Sequence, residues 1–272
     1  MVSIIIPTFN EEKNIERLLL SIKEQSYKKI EVIVVDDGSC DNTKLKVKNA
    51  KLGRELRFFE REHAERSVQR NFGAKKAKGK YLIFLDADME LHKGLIASIV
   101  KKMKSGRYGA LIIPERTAGE SFLARVRRFE RDMYRGDATV EVARAFPKKI
   151  FKEFGGYDEN LTGAEDYDLP YRISKSHKVG WSGSYLIHHE ERLTLRDLLR
   201  KKYYYASRST SYAGKHPELI LTQGTILFRK AYLRNWRKFL GSPLLGISFI
   251  VIRAMTAGAA FAGFIKGTVS KV

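Results

Sequence analysis

Apolar positions in the first part of the chain fall into short continuous runs, separated by stretches whose apolar residues recur at helical spacing. Val2–Ile6, Ile30–Val35, Leu56–Phe59, Tyr81–Leu85 and Ala110–Ile113 read as strands. Between them, Glu11–Gln25 places Ile15, Leu18, Leu19 and Ile22 on one helical face, with Asn10 as its N-cap. Further helices are predicted around Asn42–Lys51, Arg66–Lys78 and Lys93–Lys104. Strands without polar alternation, alternating with helices, predict a mostly parallel sheet covered on both faces. In such sheets ligands bind beyond the carboxyl ends of the strands. Thr8, Asp36-Asp37 and Asp86-Ala87-Asp88 each lie just after a predicted strand end.

The second half is less regular. Glu120–Tyr134 is amphipathic, with Leu123, Val126, Phe129 and Met133 on one face and arginines around it. Phe154–Asp158 reads as a turn and Ala164–Lys175 as a helix opening on Glu165-Asp166. Val179–Ile187 holds one or two strands, followed by His188-His189-Glu190 and a basic helix over Leu193–Arg208. From Phe239 to Ile265 the only charge is Arg253. Trp236, Arg237 and Lys238 flank this stretch on one side, Lys266 and Lys271 on the other. Its length suits a membrane span. Arg253 near its middle costs roughly 2.5–3.5 kcal/mol on insertion scales. Two interfacial or re-entrant helices, a buried core helix and a dimer contact are alternatives. The small-residue spacing of Gly258/Ala262 and Ala259/Gly263 permits close helix packing. A division at 215/216 separates a catalytic domain (1–215) from a basic, apolar helical segment (216–272).

Composition narrows the classes. The 272 residues are 43% apolar with 30% charged, which excludes a disordered chain. Cys40 is the only cysteine, so no intrachain disulfide forms and a reducing compartment is favoured. Met1 leads directly into an apolar strand with no targeting signal, so the N-terminal part is expected in the cytosol. The net charge of +20 is uneven: residues 193–272 hold 14 basic and 2 acidic side chains, net +12. The asymmetry suggests a polyanion contacted by the C-terminal part, whether a membrane surface, nucleic acid or an anionic substrate; a soluble protein with a basic surface is the alternative. The nucleic-acid class also draws on Tyr203-Tyr204-Tyr205, since basic grooves with aromatic stacking bind single strands. Clustered carboxylates at strand ends argue against it for the first domain.

Two carboxylates after the buried run Tyr81–Leu85 are costly unless a cation or donors compensate them. Hard divalent ions such as Mg²⁺ or Mn²⁺ take such oxygens and share them with substrate phosphates. Asp36-Asp37-Gly38-Ser39 can accept from a base N–H or a ribose hydroxyl, or simply favour a helix N-terminus. Glu165-Asp166 reads either as a helix cap or as a general base for an attacking hydroxyl. His188 can complete a metal site. Gly73–Lys80 superficially suggests a phosphate-binding loop, but it has five residues between its glycines and runs from helix to strand.

Together these residues resemble the family 2 glycosyltransferases of GT-A fold. The matching segments are Ile4–Glu12, Val34–Ser39, Gln69–Ala74, Leu85–Asp88, Gly155–Glu159 and Gly163–Asp166, with His188 where many members place a metal-binding histidine. The resemblance covers about residues 2–205. Where the family usually has Asn-x-Gly, this chain has Glu62-His63-Ala64-Glu65-Arg66. The resemblance implies a Rossmann-like, mostly parallel α/β sheet flanked by helices, plus the C-terminal apolar helical segment. It implies a nucleotide-sugar pocket of Pro7, Phe9, Glu11, Asp36, Asp37, Arg70, Asp86 and Ala87. It implies Mn²⁺ or Mg²⁺ on Asp86, Asp88 and His188, with Asp166 as base and Glu165 beside it. The expected reaction is inverting hexose transfer from a UDP- or GDP-sugar to a hydroxyl of a lipid-linked saccharide or glycolipid. A polyprenyl-phosphate sugar synthase, attacking with a phosphate, is the alternative. The basic tail then suits an anionic membrane surface at the cytoplasmic face, held peripherally, monotopically or by a single pass, with no nucleic-acid partner. A homodimer through the C-terminal segment is a further alternative.

Overall fold

The computed structural model describes residues 1–50, 52, 55–219 and 229–269. Lys51 and Lys271, expected in a helix and in the basic flank, lie outside them. The chain forms two compact units interleaved along the sequence. The first comprises 1–114, 142–159 and 165–188; the second comprises 115–141, 160–164 and 189–272.

The first unit is built on a seven-stranded sheet. Its strands are β1 (Val2–Thr8), β2 (Ile30–Asp36), β3 (Leu56–Glu60), β4 (Tyr81–Phe84), β6 (Tyr108–Ile112), β8 (Ala143–Pro147) and β9 (Lys178–Trp181). The order is β3-β2-β1-β4-β8-β6-β9. The first four pair in parallel, and β8 runs antiparallel to both β4 and β6. A short β5 (Met89–Leu91) pairs antiparallel with β10 (Leu186–His189), matching His188 with Met89.

Both sheet faces are covered, as continuous apolar strands require. Val2, Ile4, Ile6, Val32 and Val34 pack with α1 (Ile15–Lys23) and α4 (Leu95–Lys104). Ile5, Ile33, Val35 and Phe84 pack on the opposite face with Ala74 of α3 (Arg66–Lys76) and Phe151 of α6 (Lys148–Glu153). Each buried Ile, Val or Phe contributes roughly 1.5–3 kcal/mol. A Cβ on Gly73 would run into Ile5, so glycine lets α3 lie close on β1 and brings Arg70 to the strand ends. α2 (Thr43–Asn49) is shorter than expected. Asn10 is not the cap of α1. It sits at φ 54° and its Oδ1 accepts from the Cys40 N–H at 3.0 Å, tying the β1 loop to the β2 loop.

In the second unit, β7 (Glu115–Ala118) precedes α5 (Phe122–Tyr134). α8 (Leu195–Arg208) starts with a capping box between Thr194 and Asp197. α9 (Thr210–Lys215) follows, and after the undescribed stretch come α10 (Lys230–Arg234), α11 (Arg237–Gly241) and α12 (Pro243–Val269). From Pro243 on, the apolar segment is thus one long helix. Phe249 packs on Val126, Phe129 and Met133 of α5. Arg253 does not face outward: it is buried and pairs with Glu130 at 3.0 Å. Burial opposes ionisation of Glu130, but Arg127 and then Arg253 hold it down to about 2.

Candidate active site

The polar clusters expected at strand ends lie at the carboxyl edges of β2, β1 and β4, in a row set by the sheet order. The first centres on β2. Asp36 is fully buried and internally satisfied, accepting from Thr8 Oγ1 at 3.1 Å and from the Ser39 hydroxyl and N–H at 2.6 and 2.9 Å. It braces the loop after β2 against the end of β1. Asp37 accepts from the Ala64 N–H at 2.8 Å and from the Gln69 amide, and lies 2.7 Å from His63 Nδ1. The His63 ring stands 5.0 Å from that of Phe9, and both are exposed. Pro7 is half-buried in β1 beside Val35. Glu11 is held in the loop by its N–H on Thr43 Oγ1 and by Asn14 on its carboxylate.

The second cluster is an arginine–carboxylate network. α7 (Glu165–Ser174) presents three acids in its first turn, Glu165, Asp166 and Asp168, which its positive N-terminal end favours. Arg70 is fully buried. It donates to Asp166 at 2.5 Å, lies 3.4 Å from Glu165, and donates to Asp86 at 2.7 Å. Arg66 donates to Glu165 at 2.9 Å, and Arg144 of β8 donates to the other oxygen of Asp86 at 3.2 Å. Burial would raise Asp86, yet Arg144, Arg70 and Arg66 hold its carboxyl well below the usual range. Glu165 is pushed up by burial and then by Asp166, against the two guanidiniums. The Asp166 side chain is 12% exposed and that of Glu165 is 2% exposed, so Asp166 is the more accessible acid.

The third cluster is Asp88 with His188, whose Nε2 lies 2.8 Å from Asp88 Oδ2. Asp88 Oδ1 is buried with no hydrogen-bond partner. An orphaned carboxylate oxygen beside an imidazole fits a divalent cation, with phosphate oxygens or water completing its shell. Asp86, expected as a further metal ligand, is instead enclosed by three arginines. Among the described residues no three His, Cys, Asp or Glu side chains gather as a metal cluster. Ala87 turns into the core, so only its backbone can meet a ligand.

The Gly-Gly-Tyr-Asp-Glu segment braces α3. Asn71 donates to the Tyr157 carbonyl and to Glu159, each at 2.8 Å, and accepts from the Tyr157 N–H at 3.0 Å. Gly156, at φ 73°, leaves room for Asn71 where a Cβ would crowd it.

Residues 3–157 match the model of glycosyl transferase family 2, more than half of the chain. The chain belongs to this family. A GalNAc(5)-diNAcBac-PP-undecaprenol beta-1,3-glucosyltransferase of Campylobacter jejuni is 34% identical over 107 residues, which are 38% of this chain and 35% of that protein. A pre-mycofactocin glycosyltransferase of Mycobacterium tuberculosis is 24% identical over 248 residues, 83% of this chain and 51% of that protein. The first three curated relatives are matched over only 35%, 27% and 33% of their lengths. Among solved structures, the mannosyltransferase PcManGT from Pyrobaculum calidifontis, in complex with GDP-Man and Mn²⁺, superimposes with a TM-score of 0.69. It is 20% identical, with 100% of this chain and 88% of that chain covered. That likeness establishes the GT-A fold of this family 2 chain.

The family resemblance marked Asp37, Arg70, Asp86, Asp88, Glu165, Asp166 and His188, and the fold gathers them at strand ends and the start of α7. His63, Gln69, Arg66 and Arg144 had been given no role in the site. Arg144 left one trace, a charge inside the apolar run Ala143–Phe146.

Proposed function

We propose that this chain transfers a hexose from a nucleoside diphosphate sugar to a hydroxyl of a lipid-linked saccharide or glycolipid, with inversion, at the cytoplasmic face of a membrane. One observation carries the reading: Asp88, with its orphaned buried oxygen, stands beside His188, while Arg70 joins Asp166 in the first turn of α7 to Asp86 at the end of β4. Support for the donor comes from the PcManGT complex with GDP-Man and Mn²⁺, and for the acceptor from the undecaprenol-linked name of the Campylobacter relative.

Phe9 and His63 would flank the base. Asp37 would accept from its N–H once the exposed His63 gives up the second oxygen. Asp88 and His188 would hold the divalent metal, which when bound would offset the charge that builds on the departing diphosphate. Asp166 would take the proton of the acceptor hydroxyl as that oxygen bonds to the anomeric carbon and the carbon–oxygen bond to the diphosphate breaks. Arg66 and Arg70 fix Glu165 and Asp166 so that the base is placed before the acceptor arrives.

Arg70 on Asp166 Oδ1 favours a second reading. That guanidinium occupies one of the two oxygens of the base, and a polyprenyl phosphate arrives ionised and needs no base. Asp166→Asn separates the two. With a hydroxyl acceptor it lowers kcat by about 10²–10⁴ and leaves nucleotide affinity near that of the parent. Undiminished transfer would overturn the base assignment and favour a phosphate acceptor. A screen of UDP- and GDP-sugars with Mn²⁺, reading released nucleotide and product lipid by mass spectrometry, identifies both substrates.

A further inference from the structure

α12 is inside-out for a helix in water. The residues it buries are small or polar: Gly246, Arg253, Thr256, Gly263 and Gly267, with Phe249 the one large apolar side chain. Its opposite face shows Leu244, Ile247, Val251, Met255, Phe261 and Ile265, all exposed, with Leu244 at 67% and Phe261 at 68%. A soluble helix gives the reverse pattern, and a continuous apolar face of this length marks an interaction surface. The anticipated small-residue contact is shifted. Gly258 and Ala262 lie on the exposed face, whereas Gly263 and Gly267 meet α8 so closely that a Cβ would strike the carbonyls of Tyr203 and Ser207.

What covers this face follows from charge. α10 to α12 contain no acidic residue, and residues 193–272 are net +12. Two copies meeting face to face would bring these cationic segments together, whereas an anionic leaflet would attract them. Trp236, exposed between Arg234 and Arg237, adds the aromatic residue suited to a headgroup boundary. A transmembrane pose fails on the other face. α8 lies along the C-terminal half of α12, with Tyr203 opposite Gly263 and Ser207 opposite Gly267, and it carries Arg196, Arg200, Lys201 and Arg208. Those charges would have to enter hydrocarbon with it. Detaching α12 instead would part the buried Arg253–Glu130 pair.

We infer that α12 lies in the plane of an anionic lipid leaflet, its apolar stripe among the acyl chains and Arg196 and Arg200 on lipid phosphate. These two arginines, one turn apart on α8, line an open groove with Leu195, Leu199, Tyr203 and Ala259, and Ala259 borders the stripe. The pose is that of an amphipathic interfacial helix, with apolar groups below and cations at headgroup level. It deepens the membrane part of the proposed function and rests on none of its chemistry.

The test uses the full chain without nucleotide. Flotation with vesicles of phosphatidylcholine, with and without phosphatidylglycerol, reads binding. The parent floats with the anionic vesicles, and R196Q/R200Q floats about thirty-fold more weakly, about fivefold per arginine. I247D/V251D, on the exposed face, loses flotation while its circular dichroism stays that of the parent. Nitroxides on single cysteines at 247, 258 and 265, in a C40S background, report depth in the bilayer. Equal shallow depths support the in-plane pose; residue 258 at mid-bilayer with both ends shallow overturns it. A dimer in solution that I247D/V251D breaks, with flotation unchanged, makes the face a self-contact and also overturns it. Transfer to a detergent-solubilised acceptor, scored separately, tells a failed docking surface from a failed enzyme assignment.

Discussion

Arg70 is the residue whose loss the structure predicts most sharply. Three guanidiniums, Arg66, Arg70 and Arg144, face three carboxylates, Asp86, Glu165 and Asp166; Arg66 and Arg70 each lie within 4.0 Å of all three acids, but Arg70 is the fully buried one and the closer to Asp86 and Asp166. Arg70→Met keeps most of the volume, removes the guanidinium that lies 5.4 Å over the Tyr157 ring, and leaves the cluster one negative charge in excess. Removing one partner of a buried ionic group costs about 3–5 kcal/mol. The cost depends on pH. Glu165 already sits above its ordinary 4.5 because of burial and Asp166. An acid whose folded value exceeds its unfolded one contributes less to stability as pH rises between the two. Without Arg70 the folded value climbs further, so the deficit is largest at neutral pH. It shrinks as pH falls toward 4.5, by at most about 1.4 kcal/mol per pH unit for one proton. Urea unfolding of parent and variant at neutral and mildly acidic pH measures this. A neutral-pH deficit below about 1 kcal/mol, or one that does not shrink on acidification, would refute the charge-balance account. Arg70→Lys keeps the charge but not the fork, and is expected to fall between the two.

Asp88→Ala should weaken nucleotide affinity measured with Mn²⁺ by about 10–100-fold and leave affinity measured in EDTA unchanged; equal losses in both would count against the cation site. Phe9→Ala should cost about 1–3 kcal/mol of nucleotide binding by calorimetry if the ring stacks on the base, with thermal stability unaltered because the ring is exposed. Glu130, held to about 2 against an ordinary 4.5, contributes about 3 kcal/mol above pH 4.5, lost as pH falls through the folded value. Arg253→Met should therefore move the acid-unfolding midpoint upward, and an unmoved midpoint would show that Arg127 alone suffices.

Much of the first unit is legible in the sequence because its parallel strands are buried on both faces and stand out as unbroken apolar runs. β8 escapes this reading. It is five residues long, antiparallel, and interrupted by Arg144, whose charge makes sense only beside Asp86. Asp86 and Asp88 look equivalent in one dimension. They are told apart by what the fold brings to each, arginines from α3 and β8 in one case and His188 from β10 in the other. Asn10 looks like a cap because its side chain and position suit one, but the contact with Cys40 holds it in the left-handed region instead. Arg253 looks like a defect in an apolar stretch until Glu130, distant in sequence, supplies its partner.

That last pairing sets a schedule for biogenesis. Glu130 and Arg253 are 123 residues apart. At 5–20 residues per second, a ribosome needs on the order of ten seconds to reach the second after making the first. Throughout that interval α5 exposes Phe129 and Met133 without Phe249 to cover them, and Glu130 waits for one of its cations. Truncation before residue 249 would therefore leave Phe129 and Met133 uncovered and the chain prone to aggregate, even though the residues of the candidate active site are all present.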